Sequence, residues 1–295
     1  MGHVRTWKPV SSFSCISNVT RKKNPMTTIS DSAPSGRTLS TSTASGLSLS
    51  SLARPDSGWQ FSLYPAAGEG GGSFRGSVRR ASSFVPAGKA TNPERSLEEA
   101  GRRARSKLRR YCAANRLNRL GTLTYRGEGC HDPNQVREDL GQFFRNLRAE
   151  VGPLPYAWVP EWHPGGHGLH AHFAVGQFVK RQLIDKAWGH GFVHIKLIGD
   201  LPVGSGSLSE SRIAASYLAK YVSKTFLGAQ SVLGMHRYDV AQGFQPKAVA
   251  LVGKSAQDVI NQASSAMGSY PATEWLSRSE PTWEGPPVVW AQWGR

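Results

Sequence analysis

The stretch YAWVPEW (Tyr156–Trp162), HPGGHG (His163–Gly168), LHAHFAV (Leu169–Val175) decides the fold. Both outer segments are apolar and rich in strand-forming residues. The six residues between them are Gly-rich, so the pair reads as a β-hairpin. Pro160 has no N–H for a ladder and places its strand at an edge or a bulge. In the second strand, residues two apart share a face. His170 and His172 therefore stand side by side, while Leu169, Ala171 and Phe173 point the other way. Folding back through the loop brings Glu161 opposite the histidines.

Outward from this hairpin, LGTLTYR (Leu120–Arg126) reads as a strand. Asp132 followed by Pro133 opens a helix with Val136, Leu140, Phe143 and Leu147 on one face. Downstream come a short helix near Lys180–Trp188, the strand GFVHIKLI (Gly191–Ile198), a Gly/Ser loop and a helix from about Ser209 to Lys224. Upstream, order begins near Pro93, where Ser96 and Glu99 have the spacing of a capping box. Leu97, Ala100, Ala104, Leu108 and Tyr111 follow at helical intervals. The alternation of elements predicts an α+β domain over residues 91–228, a central antiparallel sheet with flanking helices.

Residues 1–90 are dominated by Ser, Thr, Gly and Pro, as in STSTASGLSLSS (Ser40–Ser51) and GEGGGSFRGS (Gly68–Ser77). Such stretches bury too little surface to offset ordering entropy, so the expectation is a disordered basic arm. Met26 offers an alternative start within it. Residues 229–295 carry apolar patches (KAVALVG, PPVVWAQW) and read as an ordered extension without an assigned role.

Lys and Arg number 36 against 20 Asp and Glu, a net charge of +16 and a pI near 10.2, which points to a polyanionic partner. The excess is concentrated: residues 1–90 hold 11 basic and 3 acidic side chains, and residues 91–120 hold 9 and 3. Arg102, Arg103, Arg105, Arg109 and Arg110 occupy much of one helix, either as a phosphate-contacting face or as a solvated one. Three cysteines without a CxxC pair exclude a zinc ribbon and a disulfide scaffold. No run of 18 apolar residues exists to span a membrane, and the N-terminal residues lack a secretory apolar core. The expected setting is a cytoplasm.

Two constellations carry chemistry. His170, His172 and Glu161 form a mixed nitrogen and oxygen donor set that suits Mg²⁺ or Mn²⁺ with a phosphate substrate; His163 and His167 are rival third ligands. In YLAKYVSK (Tyr217–Lys224), Tyr217 and Tyr221 face the same way one helical turn apart, with Lys220 and Lys224 three residues from them. An aromatic core stripe with flanking solvated lysines is the commoner explanation of that spacing. A phenol becomes a useful nucleophile only where cations or a metal stabilise its attack.

TLTY, then LHAHF, then YLAKYVSK, in that order and on those elements, resembles the HUH endonucleases, and more closely the two-tyrosine rolling-circle replication initiators of plasmids and bacteriophages. The resemblance spans about Leu120–Thr225, with a looser echo in HRYDVAQGFQP (His236–Pro246). It implies an HUH/RRM-like fold in which His170, His172 and Glu161 hold a divalent ion. It implies that Tyr221 attacks single-stranded origin DNA, leaving a 5′-phosphotyrosyl link and a 3′-OH primer, and that Tyr217 is the alternating second nucleophile. Lys220 would orient phosphate, with Lys224 and the helix arginines contacting DNA. No GxxxxGK[ST] pattern is present, so unwinding and synthesis would fall to a host helicase and DNA polymerase in a bacterial cytoplasm. The different-class alternative is a non-catalytic copy-control or partition protein on the same fold. Relaxases usually place tyrosine before the histidines, and a water-activating hydrolase leaves the tyrosines without a task.

Overall fold

The central strand of the molecule, LHAHFAV, is buried at all seven positions, which is why it can hold two imidazoles away from bulk water. The computed structural model describes residues 57–76, 85–86, 88–197, 207–227 and 237–294, omitting the side chains of residues 196, 197, 207 and 223–227. Its described strands form two antiparallel sheets of five.

The first sheet contains β3 (Arg119–Tyr125), β4 (Tyr156–Trp162), β5 (Leu169–Val175), β6 (Gly191–Leu197) and β7 (Asp239–Val240), in the order β6-β3-β5-β4-β7. Helices α2 (Pro133–Val151) and α3 (Arg181–Trp188) cover one face. Leu123, Trp158 and Phe173 pack there against Leu140, Phe143, Phe144 and Trp188. Helices α1 (Pro93–Ala114) and α4 (Ser207–Leu227) cover part of the other face, closing Leu108, Tyr111, Ala214, Leu218 and Val222 over Ala157, Val159 and Ala174. The predicted α+β architecture is borne out. β7 pairs only with Ala157 and Trp158, so β4 is an edge at Pro160, as its missing N–H requires.

The N-terminus of α1 differs from the expected capping box. Asn92 is the cap, its side chain accepting from the Arg95 N–H at 3.0 Å, and Pro93 fills the first helical position. Ser96 and Glu99 therefore lie inside the helix, where Glu99 faces Arg95, Arg102 and Arg103.

The second sheet is where the structure departs most from the sequence reading. Residues assigned to a disordered arm form the hairpin β1 (Gly58–Tyr64) and β2 (Glu69–Arg75). Residues of the C-terminal extension supply β8 (Val249–Gly253), β9 (Thr273–Leu276) and β10 (Val288–Gln292), giving the order β8-β1-β2-β10-β9. Helix α5 (Ala256–Met267) packs Val259, Ile260 and Ala263 on Phe61, Leu63, Val289 and Trp293. The glycines that suggested flexibility are steric requirements. A Cβ on Gly70 would meet the Phe61 ring at 2.3 Å, and one on Gly72 would meet the Gln60 carbonyl oxygen at 2.2 Å. The echo segment also belongs to the first domain: besides β7, Ala241 accepts from the Tyr111 hydroxyl and Phe244 from the Asn115 amide. Of residues 1–90, residues 1–56, 77–84 and 87 lie outside the described residues.

Four arginines fasten the two sheets together around the turn Pro65–Glu69. Arg109 grips the buried Glu69 carboxylate at 2.7 and 3.1 Å, and Arg110 lies 3.9 Å from it with its guanidinium over the Tyr64 ring. Arg116 donates to the Ala66 carbonyl. Arg212, on α4, donates to the carbonyls of Gly68, Trp293 and Gly294 at 2.7 to 3.1 Å.

Candidate active site

Antiparallel pairing of β4 and β5 puts Glu161 directly opposite His170. Glu161 Oε2 lies 3.2 Å from His170 Nε2 and 2.9 Å from His172 Nε2, and the two Nε2 atoms are 3.1 Å apart. The three side chains are only 12%, 10% and 7% exposed. His163 and His167 do not join them. His163 Nδ1 accepts from the Gly165 N–H, and His167 Nε2 donates to the Tyr125 carbonyl, which leaves Glu161 as the third donor.

This cluster fits a metal ion. Its donor atoms converge within 4.8 Å of one another, and one carboxylate supplies the negative charge. Burial first, and then the neighbouring His172, pushes the His170 pKa down to about 4, so its imidazole is neutral near pH 7 as a ligand must be.

Thr122 was missed as a site residue. It lies on β3 opposite His172, and its Oγ1 is 3.1 Å from His172 Nδ1. With Nδ1–H donating to that hydroxyl, Nε2 keeps its lone pair for an ion. The signal was in TLTY: two threonines, two apart, on the polar face of an otherwise buried strand. Thr122→Val should weaken Mn²⁺ binding by about tenfold, measured by calorimetry, with Thr122→Ser close to wild type.

Helix α4 delivers the tyrosines because Ala214, Ala215, Leu218 and Val222 bury the adjoining stripe, with Tyr221 at its margin. The Tyr221 ring stacks on His172 with centroids 3.8 Å apart and planes 21° apart. Tyr217 meets His172 edge-on at 5.8 Å and is 39% exposed, whereas Tyr221 is 8% exposed. The Tyr221 hydroxyl donates to the Tyr217 hydroxyl at 2.7 Å. Burial first, then that hydrogen bond and the Glu161 charge, raises the Tyr221 pKa above the ordinary tyrosine value. The phenol is thus protonated at neutral pH.

Lys220 is exposed on α4. Lys224 falls on the last turn, outside the described side chains. The arginines divide. Arg103 is 59% exposed, and Arg102 and Arg105 are half-buried. Arg109 and Arg110, expected on a DNA-contacting face, instead turn to the second sheet. Burial works against the Arg109 charge, and the Glu69 carboxylate more than reverses that, so the guanidinium is best stabilised inside.

Residues 118–226 match the family model described as "Replication-associated protein ORF2/G2P". That segment contains Glu161, both histidines and both tyrosines, and excludes the second sheet. No curated protein and no solved structure matches the chain. Among the described residues, no helix is long and apolar enough to cross a membrane.

Proposed function

We propose that this chain initiates rolling-circle replication of a bacterial plasmid or phage by cutting and rejoining single-stranded origin DNA, with Tyr221 and Tyr217 as nucleophiles. One observation carries the reading. Two phenol oxygens 2.7 Å apart sit on one helix, and the ring of one is stacked on a histidine of an ion-competent cluster. A structural aromatic pair has no need of that neighbour. The match to a replication-associated family over the same residues supports it.

His170, His172 and Glu161 would hold Mg²⁺ or Mn²⁺, which when bound neutralises charge on the scissile phosphate. Tyr221 Oη forms a bond to phosphorus as the P–O3′ bond breaks. The phenol proton passes along the hydrogen bond to Tyr217, whose own hydroxyl proton goes to solvent, and the departing 3′ oxygen takes up a proton from solvent. The products are a 5′-phosphotyrosyl link and a free 3′-OH. Because the phosphodiester is exchanged and not hydrolysed, return attack by a 3′-OH rejoins the strand without ATP. Tyr217, the more exposed phenol, serves the second transfer. Lys220 orients phosphate from the rim of the site, and Arg102, Arg103 and Arg105 with Lys224 hold the strand beyond it. A host helicase and polymerase would unwind the duplex and extend the 3′-OH in the bacterial cytoplasm.

The discriminating test treats a pooled single-stranded DNA library with the protein and Mn²⁺. The expected products are 3′ ends that a polymerase extends and 5′ ends that carry the protein, which protease treatment trims to a peptide without freeing the 5′-phosphate. Free 5′-phosphates would indicate hydrolysis with water, and uncut DNA despite tight binding would indicate a non-catalytic DNA-binding protein.

A further inference from the structure

Alternation along β6 sends Val193 into the core beside α3, so Phe192 and His194 point to the opposite face. That face carries the ion-competent cluster. Ladder pairing places Phe192, Thr124, His170 and Glu161 in one row across four strands, with His194, Thr122 and His172 in the next. Helices α1 and α4 close over β4 and β5, where Ala157, Val159 and Ala174 are fully buried. They do not close over the outer strand: Phe192 is 70% exposed and His194 is exposed. An uncovered phenylalanine near the start of a strand costs apolar exposure with no packing in return. Its position, continuous with the candidate active site, gives it a use.

Resting on the replication-initiator reading, we propose that Phe192 is a stacking platform for a base of the single-stranded DNA near the scissile phosphate, with the strand entering over β3 and β6. Two strand spacings separate β6 from β5, about 10 Å. That corresponds to roughly three stacked nucleotide steps, or fewer if the strand is extended. The open half of the sheet is the approach that α1 and α4 leave free, and it borders His172, which Tyr217 meets from α4. A bare aromatic face accepts any base, so this contact adds affinity and alignment without setting sequence. Thr124, beside the phenylalanine on β3, and His194, two residues along β6, are polar enough to contact the sugar–phosphate backbone.

The test uses the full chain carrying Tyr217→Phe and Tyr221→Phe, so that binding is measured without cleavage. The probe is a fluorescein-labelled oligo-dT, with an abasic strand of equal length as its comparison. Phe192→Ala should weaken oligo-dT binding by about tenfold while Phe192→Trp keeps it, the scale of one base–aromatic stack. Binding of the abasic strand should be insensitive to either change, and thermal unfolding should be unaltered because the side chain is exposed. Equal oligo-dT affinity for wild type and Phe192→Ala, or equal losses for alanine and tryptophan, overturns the proposal. Phe192-dependent binding, alongside a chain with both tyrosines intact that forms no covalent adduct with Mn²⁺, supports the platform and counts against the transesterase reading alone.

Discussion

Tyr221→Phe is expected to reduce covalent capture of single-stranded DNA by about a thousandfold or more, the scale on which removal of a covalent nucleophile acts. Tyr217→Phe should slow the first cut by only about tenfold, through loss of the hydrogen-bond partner of the Tyr221 hydroxyl. The ranking follows from placement. The Tyr221 ring lies flat on His172 at 3.8 Å, whereas Tyr217 approaches the same imidazole by its edge at 5.8 Å. The two differ again in repeated transfer. A protein with Tyr221 alone should make one cut and accumulate as adduct, while wild type passes the strand between phenols and releases closed product. Quantifying adduct on denaturing gels over time separates these cases. Equal activity of both single variants, with only the double variant dead, would indicate interchangeable nucleophiles.

Glu69→Ala should lower stability by about 3 kcal/mol, since removing one partner of a buried ion pair leaves the other charge uncompensated. The Glu69 side chain is 4% exposed and Arg109 is 27% exposed, so the effect belongs at the lower end for buried pairs. Three arginine guanidiniums converge on the turn beside it, and Arg212 reaches it from the helix that carries the tyrosines. Loosening this clamp should therefore also slow adduct formation in the surviving folded protein. Chemical denaturation with matched adduct assays measures both. A change below about 0.5 kcal/mol, the range of ordinary surface substitutions, would mean that the clamp contributes little.

How far the sequence could be read depends on how local each signal was. The hairpin around His170 was readable because strand, turn and strand are contiguous and the two-residue period assigns each side chain a face. Its loop length also brought Glu161 opposite the histidines, although composition alone left His163 and His167 as rivals. The hydrogen bonds those two make to Gly165 and Tyr125 separate them. The second sheet was not readable, since β1 and β2 find partners near residues 249–253 and 288–292. Gly70 and Gly72 look like linker residues until Phe61 and Gln60 are placed over them. Arg109 and Arg110 were misplaced for the same reason: their carboxylate lies 40 residues from Arg109, in a segment that composition assigns to disorder. Charge counted along a helix cannot distinguish an arginine facing DNA from one facing a buried glutamate.

The central claim is a covalent bond between a tyrosine of α4 and DNA, and the sequence makes it unusually easy to locate. Lys220 lies between Tyr217 and Tyr221, so trypsin releases them on separate peptides, Ile213–Lys220 and Tyr221–Lys224. The measurement is mass spectrometry of tryptic peptides after incubation with a single-stranded DNA pool and Mn²⁺, followed by nuclease digestion. The account predicts a nucleotide remnant on Tyr221–Lys224, with a smaller fraction on Ile213–Lys220 and none when EDTA replaces Mn²⁺. Cut DNA with both peptides unmodified would contradict it.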